Sequence, residues 1–247
     1  MGPVLRPADP PFCALCRNPI AGHFEVSQLA EAFCDAHAAL PRCRLCGAPV
    51  PGSGRFCRSC AASAVRTQQD VGHRLPGIRS DLRAMGLQLL APVRVRLVAT
   101  LALDGLPAAT ETETLGTTTY VGAEVVDLAV VADLPLPMFG AVVAHECMHA
   151  WLAQHGVTEL SLPVTEGLCE LAAYGWLGRQ DEPRAAVLRA QTRSNPDPVY
   201  GDGFRAVSAV ARRHGVRAVL ASLAATGRLP GGDAAPGRTH PHPRRTR

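Results

Sequence analysis

Ala144-His145-Glu146-Cys147-Met148-His149-Ala150-Trp151-Leu152 decides how this chain of 247 residues is read. The central five residues spell HExxH inside an apolar run, 139–152, and the stretch 141–154 holds no Pro or Gly. The pattern predicts a buried helix that stops at Gly156, a C-cap signal. Residues four apart on a helix share a face, so both imidazoles can bind one zinc ion. Glu146 can then hold the zinc-bound water and take its proton, which points to hydrolysis of an amide. Buried helical histidines also occur as ordinary hydrogen-bonded core residues. The clean stop and the helix-like run that follows favour the metal site.

A catalytic zinc takes three protein ligands and keeps one position open. A second helix is predicted from near Ser161-Leu162-Pro163, with Pro in its first turn, to about Gly178. Glu166 lies seventeen residues after His149, room enough for the first helix to end and the chain to return antiparallel. That is the arrangement of gluzincins, whose third ligand is a Glu on the following helix. His145, His149 and Glu166 are therefore the expected ligands of a catalytic zinc, with Glu146 as general base. Glu170, one turn further, is expected to orient a ligating His, with direct ligation as the alternative. Glu159 falls in the loop and is the weaker candidate. Cys147 and Cys169, on the same helices, read as small buried hydrophobes. Tyr200 is preferred over His214 as the donor that stabilises an oxyanion. A Tyr200 merely packed in a turn with Gly201 and Gly203 is the plainer reading.

Seven of the nine cysteines precede residue 61, in spaced pairs. They run Cys13-x2-Cys16, Cys34-x2-His37, Cys43-x2-Cys46 and Cys57-x2-Cys60, eight ligands for two closed structural zinc sites. A disulfide framework is disfavoured, because residues 1–10 lack a basic stretch followed by an apolar core. About fifty residues with few large apolar side chains need metal to fold. Pairing can be sequential or interleaved, and the close spacing of Cys43 to Cys60 favours sequential. His23 is a spare ligand candidate, read as a surface residue. Beyond the Cys pairs no internal repeat is evident.

The formal charge is +4, but Arg238, Arg244, Arg245 and Arg247 lie in a Pro/His/Arg tail, so the body is near neutral. No Lys occurs. Aromatic residues make up 4%, too few to stack bases around Arg17, Arg42, Arg44, Arg55 and Arg58, so no nucleic-acid partner is expected. No run of eighteen apolar residues exists; 121–144, the best candidate, is broken by Glu124, Asp127 and Asp133, so no membrane span is expected. A cytoplasmic protein follows as the expectation. Between the cysteines and HExxH, 61–90 has a helical pattern interrupted at Pro76-Gly77. Strands are predicted at 93–98, 116–121 and 125–131. Helices follow at 181–193, 204–214 and 216–225.

Residues 144–152, with Glu166-Gly167-Leu168-Cys169, resemble the "Da-one" family, LIM-associated, ubiquitin-activated peptidases that limit organ growth in plants. Tyr200-Gly201-Asp202-Gly203-Phe204-Arg205 and Thr226-Gly227-Arg228-Leu229-Pro230 resemble its C-terminal signature. Pro41-Arg42-Cys43-x2-Cys46 and Cys57-x2-Cys60 resemble its LIM-like segment, so the likeness runs from Cys13 to Pro230. It implies a zinc endopeptidase with His145, His149 and Glu166 as ligands and Glu146 as base. The chain resembles a short, bacterial-type form with no room for ubiquitin-interacting helices. The chemistry is carried over and the regulation is not.

The expected fold is α+β: a gluzincin-like metallopeptidase domain (63–230), mainly helical with a small sheet, preceded by a LIM-like, treble-clef double-zinc module (13–62). Disordered ends are expected at 1–12 and 231–247. Cofactors are one catalytic and two structural zincs. The expected partner is a protein or peptide substrate, with the zinc module able to recruit a protein. The rival is a non-enzymatic adaptor.

Overall fold

The computed structural model describes residues 11–101 and 114–231. The disordered ends expected from sequence lie outside the described residues, apart from 11, 12 and 231. In chain order the elements are β1 (Phe24–Val26), β2 (Ala32–Cys34), α1 (Arg58–Ala61), β3 (Ala64–Val65), α2 (Gln68–Ala84), β4 (Val95–Val98), β5 (Gly116–Val121), β6 (Glu124–Val131), β7 (Leu134–Pro135), α3 (Leu136–Gln154), α4 (Leu162–Leu177), α5 (Pro183–Ser194), α6 (Tyr200–His214) and α7 (Val216–Thr226). The fold is mixed, with helices dominant and the sheets small.

The cysteine-rich region makes one turn twice. In residues 12–20 and 42–50 the first Cys amide bonds five residues ahead, Cys13 to the Asn18 carbonyl at 2.9 Å and Cys43 to that of Ala48 at 2.8 Å. Each turn closes in a bridge, Phe12 with Pro19 and Arg42 with Pro49. The residue after the second Cys is left-handed in both, Arg17 at φ 65° and Gly47 at φ 74°. The internal repeat thus extends past the Cys pairs to Leu15/Leu45 and Pro19/Pro49. The β1–β2 hairpin brings up Cys34, and α1 presents Cys60 with Cys57 at its N-cap.

The rest of the chain is built around α3. Twelve of its nineteen residues are buried, so it is apolar on all sides and must be covered on all sides. A three-stranded sheet covers one flank in the order β4-β6-β5, with β4 parallel and β5 antiparallel to β6. Helix α4 covers another. Helix α3 begins at Leu136, earlier than the apolar run suggested, because Pro137 sits at its first turn where a missing N–H costs nothing. It ends in a Schellman cap: Gly156 (φ 67°) donates to Ala153 and Val157 to Leu152 at 2.9 Å. Helix α4 starts after Ser161 and ends at Gly178, as its sequence signals required.

Pro76 does not interrupt α2, which runs through it for seventeen residues. An interior Pro costs about 3 kcal/mol. Val71, Leu75, Ile78 and Leu82, all buried on one stripe, outweigh that.

Helices α4 and α6 cross with their backbones nearly touching. A Cβ at Gly167 would sit 2.3 Å from the Gly203 carbonyl oxygen, and one at Gly203 would sit 2.1 Å from that of Pro163. Backbone cannot move aside as a side chain can. Gly167→Ala should therefore lower stability by about 3 kcal/mol, read as a shift in urea midpoint with unchanged slope; an unshifted midpoint would show the crossing to be looser than this.

No helix among the described residues is long and apolar enough to cross a membrane.

Candidate active site

Helices α3 and α4 bring four of the sequence-derived candidates into contact. His145 Nε2 lies 3.2 Å from Glu166 Oε2, and His149 Nε2 lies 3.6 Å from the same oxygen. A tetrahedral ion with bonds of about 2.0–2.1 Å has ligand–ligand edges of about 3.3–3.4 Å, so these three atoms fit one shared ion. The other nitrogen of His145, Nδ1, is 3.2 Å from Glu170 Oε1. Glu170 thus meets the opposite edge of the ring and fixes its orientation instead of joining the same three atoms. Glu159 is exposed in the loop after α3.

The electrostatics are those of a cation site. Burial opposes charge on His145, but hydrogen bonds to Glu166 and Glu170 prevail and raise its pKa to about 10. Burial likewise opposes the Glu166 carboxylate, and hydrogen bonds to His145 and His149 prevail, lowering it to about 2. A proton held among carboxylates occupies the place that a metal cation suits better.

Cys169 is also close: its sulfur lies within 4.8 Å of the ligand atoms of both histidines. The shorter contacts to Glu166 favour the carboxylate as third ligand. Burial, then the charges of Glu166, Glu146 and Glu170, push the Cys169 thiol well up, which suits a packed, protonated side chain.

Glu146 is 5% exposed and lies under the edge strand β5. Thr118 Oγ1 donates to Glu146 Oε2 at 2.7 Å. A Cβ at Gly116 would stand 2.7 Å from Glu146 Oε1, so only Gly lets the strand lie this close. Sequence reading missed Thr118 and Gly116. A strand sharing the Gly-Thr-Thr-Thr run gives no sign of which hydroxyl meets a carboxylate until its docking on α3 is known.

Tyr200 opens α6, its ring centroid 6.4 Å from that of His145. Burial and the charges of Glu166, Glu170, Asp197 and Glu146 push its phenol up, so it stays a donor at neutral pH. Gly201 and Gly203 are helical and pack against Asn195 and Pro163 respectively. His214 is exposed at the far end of the same helix, about 21 Å along its axis at 1.5 Å per residue. Only Tyr200 is brought to the histidines.

The cysteine clusters are sequential: Cys13, Cys16, Cys34 and His37 in one, Cys43, Cys46, Cys57 and Cys60 in the other. Sulfur separations of 3.8 Å (Cys16–Cys34) and 3.7 Å (Cys46–Cys57 and Cys46–Cys60) match the edge of about 3.8 Å expected of a zinc–thiolate tetrahedron with 2.3 Å bonds. A disulfide needs about 2.05 Å, and every cysteine is free. The buried His37 Nε2 has no hydrogen-bond partner, a donor atom waiting for an ion. In the second cluster, hydrogen bonds from Cys46 and Cys60 hold the Cys43 thiol far down. Both clusters can hold metal ions, and their donor sets suit zinc. His23 is exposed outside them.

The DA1-like family, described as Protein DA1, matches residues 66–187. The chain is 33% identical over 135 residues to Protein DA1 of Arabidopsis thaliana, covering 43% of this chain and 25% of that protein. It is 29% identical over 138 residues to Protein DA1-related 1 of the same plant, with 43% and 25% covered. It is 27% identical over 143 residues to LIM domain-containing protein HDR3 of Oryza sativa subsp. japonica, with 43% and 28% covered. The chain spans about a quarter of the length of these curated relatives. No solved structure matches it. The family match is narrower than the likeness from Cys13 to Pro230 read in the sequence, leaving the cysteine clusters and Tyr200 outside. Residues 66–187, which hold HExxH together with Glu166 and Glu170, are similar to the DA1-like family.

Proposed function

We propose that this chain is a zinc-dependent peptidase of gluzincin type that hydrolyses peptide bonds of protein substrates. The observation that carries the reading is the convergence of His145 Nε2, His149 Nε2 and Glu166 Oε2 beside the buried Glu146. Zinc held by these three side chains would polarise the scissile carbonyl and make water a nucleophile near neutral pH. Glu170 keeps the His145 ring aimed by accepting from Nδ1–H. Glu146 takes a proton from the attacking water and passes it to the leaving amine. Tyr200 donates to the developing oxyanion, a contribution of about 3 kcal/mol. Strand β5 pairs only with β6 among the described strands, so its other edge suits an extended peptide.

Thr118 holds the Glu146 carboxylate in position. Thr118→Val should lower kcat about tenfold with KM unchanged, and Thr118→Ser should restore most of it. Equal rates in all three proteins would remove Thr118 from the machinery.

The deciding experiment is zinc content by elemental analysis of wild type and His149→Ala. Three zincs falling to two fit one catalytic and two structural sites. Two in both proteins would favour the second reading, an adaptor that binds partner proteins, for which the exposed Phe12, Phe24 and Val26 on the zinc module offer a surface.

A further inference from the structure

Helices α3 and α4 also wall a chamber that has no part in the metal cluster. It measures about 450 Å³ and lies between α4, α7 and the end of α2, with Met148, Leu168, Leu171, Val219, Leu220 and Arg217 in its lining. A second cavity, about 560 Å³, adjoins it and shares Arg217 and Leu220. These volumes fall in the range of small-molecule sites.

We propose that the chamber binds a medium-chain fatty carboxylate, its alkyl chain against Met148 and Leu168 and its carboxylate on Arg217. The lining supplies the apolar part. The charge argument supplies the head group. No Asp or Glu lines either cavity. Arg217 makes no ion pair or hydrogen bond with any described residue. Its stem packs beside Gly86, where a Cβ would lie 3.6 Å from Arg217 Cγ and 3.6 Å from Leu220 Cδ1. Arg217 lines both cavities and is exposed, so its guanidinium is open to a carboxylate whose alkyl chain lies against the apolar lining. The chain's own residues 232–247 make a poor occupant by composition: they include four Arg and no large apolar residue. A bound chain would touch both ligand-bearing helices, through Met148 next to His149 and Leu168 next to Cys169.

The test is calorimetric titration of the full chain with dodecanoate below its micellar concentration. One molecule should bind per chain and raise the melting temperature. Decanoate should bind more than tenfold more weakly, since each methylene is worth about fourfold. Methyl dodecanoate on the wild type, and dodecanoate on Arg217→Gln, should each lose about tenfold. Leu171→Trp should abolish binding by filling the chamber. Arg217 is exposed, so its variant is expected to fold, and an unchanged melting temperature without ligand checks this. No saturable one-to-one binding, equal affinity for acid and ester, or indifference to chain length would each overturn the proposal.

Discussion

Cys46→Ser should unfold far more than the zinc module: the whole chain should lose its cooperative transition near physiological temperature. A structural zinc site contributes about 10 kcal/mol or more to the folding of a small metal module, against total domain stabilities of about 5–15 kcal/mol. The second cluster is not free to fail alone. Val187 of α5 is buried in the module's own core, and Leu188 packs against it. Gln191 donates to the Leu45 carbonyl at 2.9 Å, inside the Cys43–Cys46 turn. Arg184 Nη2 donates to Ser59 Oγ at 2.6 Å, next to Cys60 in the chain. Strand β3, just after Cys60, pairs with β7, and α3 begins at the next residue. Losing the ion therefore loosens both α5 and the start of the helix that carries HExxH. Hydrogen exchange reads this directly: amides of α5 and the first turns of α3 should lose protection in Cys46→Ser, and equally in wild type treated with a chelator. Full protection there, with the module unfolded, would make the module an independent domain and sink the idea.

Local chemistry in the sequence specified most of what lies near α3 and α4. The span of α4 from Ser161 to Gly178 and the stop at Gly156 follow from caps and turn residues, which act over four or five positions. The Cys pairs follow from ligand spacing. What could not be read depends on contacts distant in sequence. Helix α2 continues through Pro76 because of what its apolar stripe packs against. Helix α6 starts at Tyr200, not Phe204, because Gly201 and Gly203 pack on Asn195 and Pro163; read as loop glycines, they concealed Tyr200's place in the first turn. That shift also separates Tyr200 from His214 along one helix. Thr118 belongs to the same class. Its partner Glu146 lies twenty-eight residues on, and nothing local to either residue encodes the meeting.

Glu146→Gln should lower peptide hydrolysis by about a thousandfold, within the range attributed to a positioned general base, while the zinc content and the melting temperature stay as in wild type. The substitution removes the proton acceptor and keeps the shape. Gln fills the same volume in a site where Glu146 is 5% exposed, and its amide oxygen can still accept from Thr118 Oγ1, as the carboxylate does at 2.7 Å. None of the three proposed metal ligands is altered. His149→Ala differs in kind, because it should lose activity by losing an ion. The pair therefore separates chemistry from architecture. A peptidase that depends on Glu146 loses turnover in one variant with its metal intact, and loses both together in the other. A metal-stabilised scaffold loses stability in His149→Ala and nothing measurable in Glu146→Gln, since a scaffold uses the histidines and has no work for the carboxylate. Hydrolysis that persists in Glu146→Gln with the metal retained would place the base elsewhere.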